Sequence, residues 1–236
     1  MDNFCEWLPR TMIKNLQKYE DLGSFFIEDP AKDLKQSKKV VTTWVSRSLK
    51  GYNLVGKKPS SDLVKLNDRY VLGFKKNKYV SDITVLSNEP GNCAFLCITF
   101  RVLGGEENQV LISNYEDIEN DYCEIKVSSE EIYLDLHKAV KTIQHSCKEW
   151  TTLFLQCYSD ESSTYYKYSV NGVTGSFSGP ASDLFITDNI AVGSRLDDSY
   201  FLNGQVAALE FYQVQNSSEI PEYLQRIVIK NQTIVS

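Results

Sequence analysis

Three acidic side chains, Glu119, Asp121 and Glu124, stand close enough in the chain for their carboxylates to act together. Hydrolysis of a glycosidic bond needs two such groups, one to protonate the leaving oxygen and one to act as nucleophile or base. The triplet belongs to an acidic segment over 115–121, which is also typical of a solvated loop. We therefore expect no catalytic residue here and keep glycoside hydrolysis as an alternative.

Other kinds of catalytic centre lack the residues they need. The chain has two histidines, His137 and His145, and neither lies in a glycine-rich turn that would expose a nucleophile. The stretch from Gly51 to Lys58 has the glycine spacing of a phosphate loop, but Lys58 stands where a magnesium-binding hydroxyl is required. The sequence therefore predicts a protein that is not an enzyme.

The composition predicts one well-packed globular chain. The 236 residues are 42% hydrophobic and carry a net charge of -6, with +7 in residues 1–80 and -13 in the rest. Because the basic residues are scattered among strand and turn patterns, we expect no nucleic-acid partner. No apolar run of membrane-spanning length and no signal peptide are found. The expected location is the cytoplasm, with a virion or release by an unconventional route as the alternative.

Short strands are the main elements that the pattern predicts. Runs of β-branched and aromatic residues recur between turn residues, as in 93–102 and 150–158, and Asn171-Gly172 is a strong hairpin signal. About ten or more strands of this kind predict an all-β fold, a two-sheet antiparallel jelly-roll sandwich.

Helices are expected only at the two ends. Residues 9–22 place apolar side chains on one stripe between Pro9 and Gly23, which predicts an N-terminal helix. A short C-terminal helix is predicted after Pro221. The expected domains are a helical lead over 1–24 and the sandwich over 25–236.

One segment resembles a known family signature. His145 to Thr152 reads His-Ser-Cys-Lys-Glu-Trp-Thr-Thr and resembles the pentraxin signature, with Glu149 where that family has serine or threonine. Other segments match, in order, the strands and turns around the signature in pentraxins and laminin-G-like domains. These segments are Trp44 to Ser48, Leu66 to Phe74, Phe95 to Phe100, Tyr168 to Gly172, Ile190 to Gly193 and Leu202 to Phe211. The resemblance covers about residues 25–230 and implies a concanavalin A-like jelly roll.

The resemblance implies structural roles for three residues. Trp150 would fill the space between the sheets, where its large apolar area is useful. Cys97 and Cys147 would face each other on neighbouring strands, within bridging distance. They would form a disulfide in an oxidising environment and remain packed thiols in a reducing one.

Pentraxins bind ligands through calcium ions, and calcium takes six to eight oxygen ligands. The residues that match the family's calcium loops are Asn120, Asp121, Asp197 and Asp198. Arg195 stands where a further oxygen ligand is expected, and its charge would repel the ion. The expected cofactor is therefore none, with calcium as the alternative.

The function that this resemblance implies is lectin-like, non-catalytic binding of a glycan or another surface group. Such folds bind in shallow sites, where aromatic rings stack on sugars and carboxylates or amides bind hydroxyls. The candidate ligand-binding residues are Tyr115, Asn120, Asp121, Tyr122, Asp197, Asp198 and Tyr200. The alternative is a structural, assembly or virion-surface jelly roll that forms homo-oligomers through its N-terminal helix and uneven charge.

Overall fold

The computed structural model describes residues 19–37, 40–48, 52–58, 62–66, 69–81, 93–105, 108–115, 122–181 and 189–214. In these ranges the chain forms seventeen strands and one short helix, α1 (Pro30–Asp33). The strands are β1 (Tyr19–Phe26), β2 (Leu34–Ser37), β3 (Val40–Val45), β4 (Asn53–Lys58), β5 (Leu63–Leu66), β6 (Arg69–Lys75), β7 (Lys78–Ser81), β8 (Cys93–Val102), β9 (Gln109–Ser113), β10 (Cys123–Val127), β11 (Glu131–Leu136), β12 (Ala139–Gln144), β13 (Thr151–Ser159), β14 (Ser163–Val170), β15 (Val173–Pro180), β16 (Ile190–Val192) and β17 (Asn203–Val214).

The strands form two antiparallel sheets. The first sheet has eight strands, in the order β15-β14-β13-β8-β17-β6-β5, with β1 also paired to β17. The second sheet has nine, in the order β12-β11-β10-β9-β16-β7-β4-β3-β2. Alternate residues of β8, such as Leu96, Ile98 and Phe100, enter one core with Ile125 and Leu134 of the second sheet. The predicted all-β, two-sheet sandwich is confirmed.

A tryptophan does fill the core, but it is not the predicted one. The side chain of Trp44 is fully buried and packs edge-on against Phe25, with ring centroids 5.6 Å apart. Trp150 is only half-buried, and the Arg101 guanidinium lies 4.9 Å from the centroid of its ring. The prediction for Trp150 is wrong because it precedes β13, where its side chain reaches the outer surface instead of the space between the sheets.

The predicted closeness of Cys97 and Cys147 is also wrong. The N–H of Val102 donates to the carbonyl of Cys147, so Cys147 lies level with a residue five positions along β8 from Cys97. That offset is roughly 16 Å along a strand, whereas bridged Cα atoms lie within about 7 Å. Cys147 belongs to the core, while Cys97 alternates with Leu96 and Ile98 and points away from it. Both residues are thiols.

The helix predictions are not confirmed. Most of the predicted N-terminal helix and the segment after Pro221 lie outside the described residues. Residues 19–22 of that helix lie instead in β1, which pairs with β17 from Tyr19↔Val214 to Phe26↔Ala208. The boundary predicted at residues 24 and 25 therefore falls inside a strand. Within the described ranges, no helix has the length and apolar character needed to cross a membrane.

An ion pair between Arg47 and the buried carboxylate of Asp33 fixes the turn around α1. The Arg47 guanidinium donates to both carboxylate oxygens of Asp33, at 2.8 and 2.7 Å, and to Glu28. The backbone N–H groups of Glu28 and Asp29 also donate to Asp33. Burial raises the pKa of Asp33, but the Arg47 and backbone hydrogen bonds outweigh it, and the pKa lies below its ordinary value.

Candidate functional site

The candidate site lies on the outer face of the nine-stranded sheet, where β9, β10 and β16 are neighbours. Along β10, Cys123, Ile125 and Val127 point into the core. Strand alternation therefore directs Glu124 and Lys126 to the opposite face. The candidate site is built around this polar pair.

Glu124 is a buried carboxylate with a full set of partners. Arg195 donates to it from Nε at 2.6 Å and from Nη2 at 2.8 Å, in a two-pronged pair. Lys126 Nζ lies 2.8 Å from its Oε1, and the Ser113 hydroxyl donates to its Oε2 at 3.1 Å. The Glu124 side chain has no exposed surface. Burial raises its pKa, but the hydrogen bonds from Arg195 and Lys126 outweigh it, and the pKa lies below its ordinary value.

Two tyrosine rings contact the same arginine, and a third packs against one of them. The guanidinium carbon of Arg195 lies 4.1 Å from the ring centroid of Tyr115 and 4.5 Å from that of Tyr200. Tyr122 packs edge-on against Tyr115, with centroids 4.9 Å apart, and its hydroxyl donates to Asp135. We call Tyr115, Tyr122 and Tyr200 around Arg195 the tyrosine cluster. Its rings are held by cation–π and edge-to-face contacts.

The three rings differ in their access to solvent. Tyr200 is 48% exposed, whereas Tyr115 and Tyr122 are half-buried. Burial, followed by the hydrogen bond to Asp135, raises the pKa of Tyr122 to about 12, so this hydroxyl stays protonated at neutral pH. The exposed ring of Tyr200 is therefore the most accessible aromatic surface of the cluster.

The loop that carries Arg195 and Tyr200 joins β16 to β17 and is fixed at several points. It begins at Gly193, whose φ of 90° and close approach to the Phe74 ring leave no space for a side chain. The buried Lys78 ammonium donates to the carbonyl of Leu196 at 2.6 Å and pairs with Asp198 at 2.6 Å. These contacts attach the loop to β7 and to the Phe74 side chain of β6.

Most of the predicted ligand-binding residues in the described ranges do come together. Tyr115, Tyr122 and Tyr200 form the cluster, although they come from three separate loops or strand ends. Asp197 and Asp198 lie in the same loop as Tyr200. Asp197 accepts hydrogen bonds from the backbone and hydroxyl of Ser199, which caps a turn of the loop. Asn120 and Asp121 lie outside the described residues.

Sequence reasoning missed the residues that organise the cluster. The sequence indicates Glu124 only as a candidate hydrolytic carboxylate, and Arg195 only as a charge that would repel calcium. A charged residue between two apolar residues of a strand, as Glu124 is between Cys123 and Ile125, indicates an outward position. No sequence pattern identifies its partner, because Arg195 lies 71 residues farther along the chain.

The described half of the calcium set does not suit a calcium ion. Asp198 is already paired with the Lys78 ammonium, and the Arg195 guanidinium lies in the same loop. Among the described residues, no three His, Cys, Asp or Glu side chains are grouped as metal ligands. Since Asn120 and Asp121 are not among them, the calcium alternative stays a prediction.

Glu124 does not have the properties of a general acid. A catalytic acid in a glycosidase has a raised pKa so that it keeps its proton at working pH. The pKa of Glu124 is lowered, and both carboxylate oxygens are occupied by basic groups. The other members of the acidic triplet, Glu119 and Asp121, lie outside the described residues.

Comparisons with known proteins identify the fold and not a sequence family. No protein-family profile and no curated sequence matches the chain. A structure of botulinum neurotoxin type C is similar, with a TM-score of 0.55 and 12% identity over 90% of this chain and 51% of that one. An arabinofuranosidase complexed with arabinofuranosyl-α-1,2-xylobiose is also similar, with a TM-score of 0.53 and 12% identity over 83% of this chain and 50% of that one.

The chain spans about half the length of these two solved structures. Together with the two-sheet topology, the likeness shows a concanavalin A-like jelly-roll sandwich, as the sequence predicted. The neighbours include both binding domains and glycosidases. The resemblance to pentraxins and laminin-G-like domains stays a prediction.

Proposed function

We propose that this protein is a non-catalytic, lectin-like module that binds a glycan at the tyrosine cluster. One observation carries the proposal. The ring of Tyr200 is 48% exposed on a loop that Lys78 anchors, and one side of it is supported by the Arg195 guanidinium. An exposed aromatic ring on a fixed support is the kind of surface on which the apolar face of a sugar ring stacks.

Preorganisation is the physical argument for binding at this position. A side chain that is ordered before the ligand arrives loses little conformational entropy on binding. Arg195 is held by two hydrogen bonds to Glu124, and it contacts the rings of both Tyr115 and Tyr200. The exposed carboxylate of Asp197 lies in the same loop and offers an acceptor for sugar hydroxyls.

The solved structures of similar fold support the choice of ligand class. The cell entry of botulinum neurotoxin type C depends on interaction with two ganglioside molecules, and the arabinofuranosidase was solved with a bound oligosaccharide. Gangliosides and oligosaccharides both present sugar rings. The proposed ligand for the present chain is therefore a glycan, at a position argued from its own residues.

The proposed binding is independent of calcium and is not followed by hydrolysis. Asp198 is engaged by the Lys78 ammonium, whose positive charge disfavours a calcium ion at that carboxylate. Glu124, whose pKa is lowered, is an ion-pair partner and not a proton donor. The protein is expected to release its glycan unchanged.

A glycan array screened in millimolar calcium and again in chelator tests the proposal. We expect the same glycans to be bound in both buffers, with no cleaved product detected by mass spectrometry. Absence of binding in both buffers would contradict glycan recognition. Binding only with calcium would contradict the calcium-independent site, and product release would contradict the non-catalytic role.

A further inference from the structure

The edges of the two sheets are protected unequally. The outermost strand of a sheet presents unpaired N–H and C=O groups, and natural proteins discourage pairing there with charged residues, proline or bulges. Among the described strands, β12 carries Lys141, β2 carries Lys35 and β5 carries Lys65. These three edge strands have the expected protection.

The edge strand β15 has much less protection. No residue from 171 to 181 is charged. Its eight residues pair with β14 in an unbroken register, from Val170↔Val173 to Ser163↔Pro180, with no bulge to twist the edge away. Val173 is 73% exposed. In the described part of the chain, β14 is the only strand with which β15 pairs.

We propose that β15 is a homodimer interface, in which the strand pairs antiparallel with β15 of a second copy of this chain. A two-fold axis brings the same strand from each copy together in antiparallel order, so the eight-stranded sheets of both copies would continue into one another. Pro180 lacks an N–H and would end the pairing, which leaves Val173 to Gly179 as the paired segment.

The absence of charged residues on β15 favours a second copy of this chain as the partner. Self-pairing places each residue opposite another residue of the same strand, so a charged edge would repel itself and an uncharged edge does not. A strongly charged partner peptide would find no complementary charge on β15. The proposal does not depend on glycan binding, because the tyrosine cluster lies on the other sheet.

Sedimentation velocity of the whole chain, from low to high micromolar concentration, tests the proposal. We expect a species of twice the chain mass of 26.9 kDa that grows with concentration. The double variant Thr174→Lys/Ser176→Lys adds charge at two exposed positions of the outward face and should remain monomeric. The matched control Gln36→Lys/Ser37→Lys adds the same two charges at exposed positions of β2, the opposite edge of the other sheet, and should still dimerise.

Hydrogen exchange provides a second measurement that does not rely on variants. Alternate amides of 173–179, those whose N–H groups point away from β14, should gain protection as the concentration of the wild-type chain rises, since these groups become paired. A wild-type chain that is monomeric at every concentration would overturn the proposal. So would a dimer that survives in Thr174→Lys/Ser176→Lys, or a dimer whose β15 amides exchange as fast as those of the monomer.

Discussion

Arg195 is the side chain whose loss should destabilise the site most. Its two hydrogen bonds to Glu124 compensate a carboxylate that has no exposed surface. Replacement of Arg195 by methionine keeps much of the apolar volume but removes both donors. Removing one partner of a buried ion pair costs about 3–5 kcal/mol. Because Lys126 remains 2.8 Å from the carboxylate, we expect the lower end, about 3 kcal/mol.

Urea unfolding, followed by fluorescence, measures this loss as a change in the free energy of unfolding. The matched control is Arg69→Met, for which the structure records no ion pair in its described ranges, and it should change stability by no more than about 0.5 kcal/mol. In the double variant Glu124→Gln/Arg195→Met, the loss should be smaller than the sum of the single losses. A cost below about 1 kcal/mol for Arg195→Met, the value of an exposed pair, would refute the buried-pair account.

Three further predictions concern the loop, the acid limit and the core. Lys78→Met should weaken glycan binding, because the loop of Tyr200 loses its anchor. If titration calorimetry gives the folded variant the same glycan affinity as the wild-type chain, Lys78 does not have this role. The pKa values of Glu124 and Asp33 lie below their ordinary values, so the stability that they provide is present above about pH 4 and is lost as pH falls through the folded-state pKa. Asp33→Asn should therefore reduce stability at neutral pH and flatten the acid side of the curve of unfolding free energy against pH; an unchanged curve would argue against the Arg47 pair. Trp44→Ala should cost about 3–5 kcal/mol in urea unfolding, and a cost near zero would contradict its place in the core.

The sandwich could be predicted because its signal is local. Period-two alternation and turn residues are properties of neighbouring positions, and they locate β8 and β13 to within a residue. The strand at β1 was missed because Tyr19 falls at the end of an apolar stripe with helical spacing. Its pairing with the distant β17 determines its conformation, and long-range pairing leaves no mark on the local pattern.

Only part of the site could be predicted, because the sequence shows local features but not contacts between distant segments. Tyr115, Tyr122 and Tyr200 could be chosen from loop position and composition. The Glu124–Arg195 pair that organises them joins two distant segments, so only the three-dimensional structure identifies it. Trp150 was misplaced because a short signature gives the residue type without the direction of its side chain.

Titration calorimetry with the best-bound array glycan tests the central claim most directly, using Tyr200→Ala and the control Tyr165→Ala. Tyr165 lies on β14 of the other sheet, where it stacks on Tyr158. We predict that Tyr200→Ala weakens binding about ten-fold or more, as expected for an aromatic hot spot, and that Tyr165→Ala leaves the affinity unchanged. An unchanged affinity in a folded Tyr200→Ala protein would contradict the assignment of the site to the tyrosine cluster.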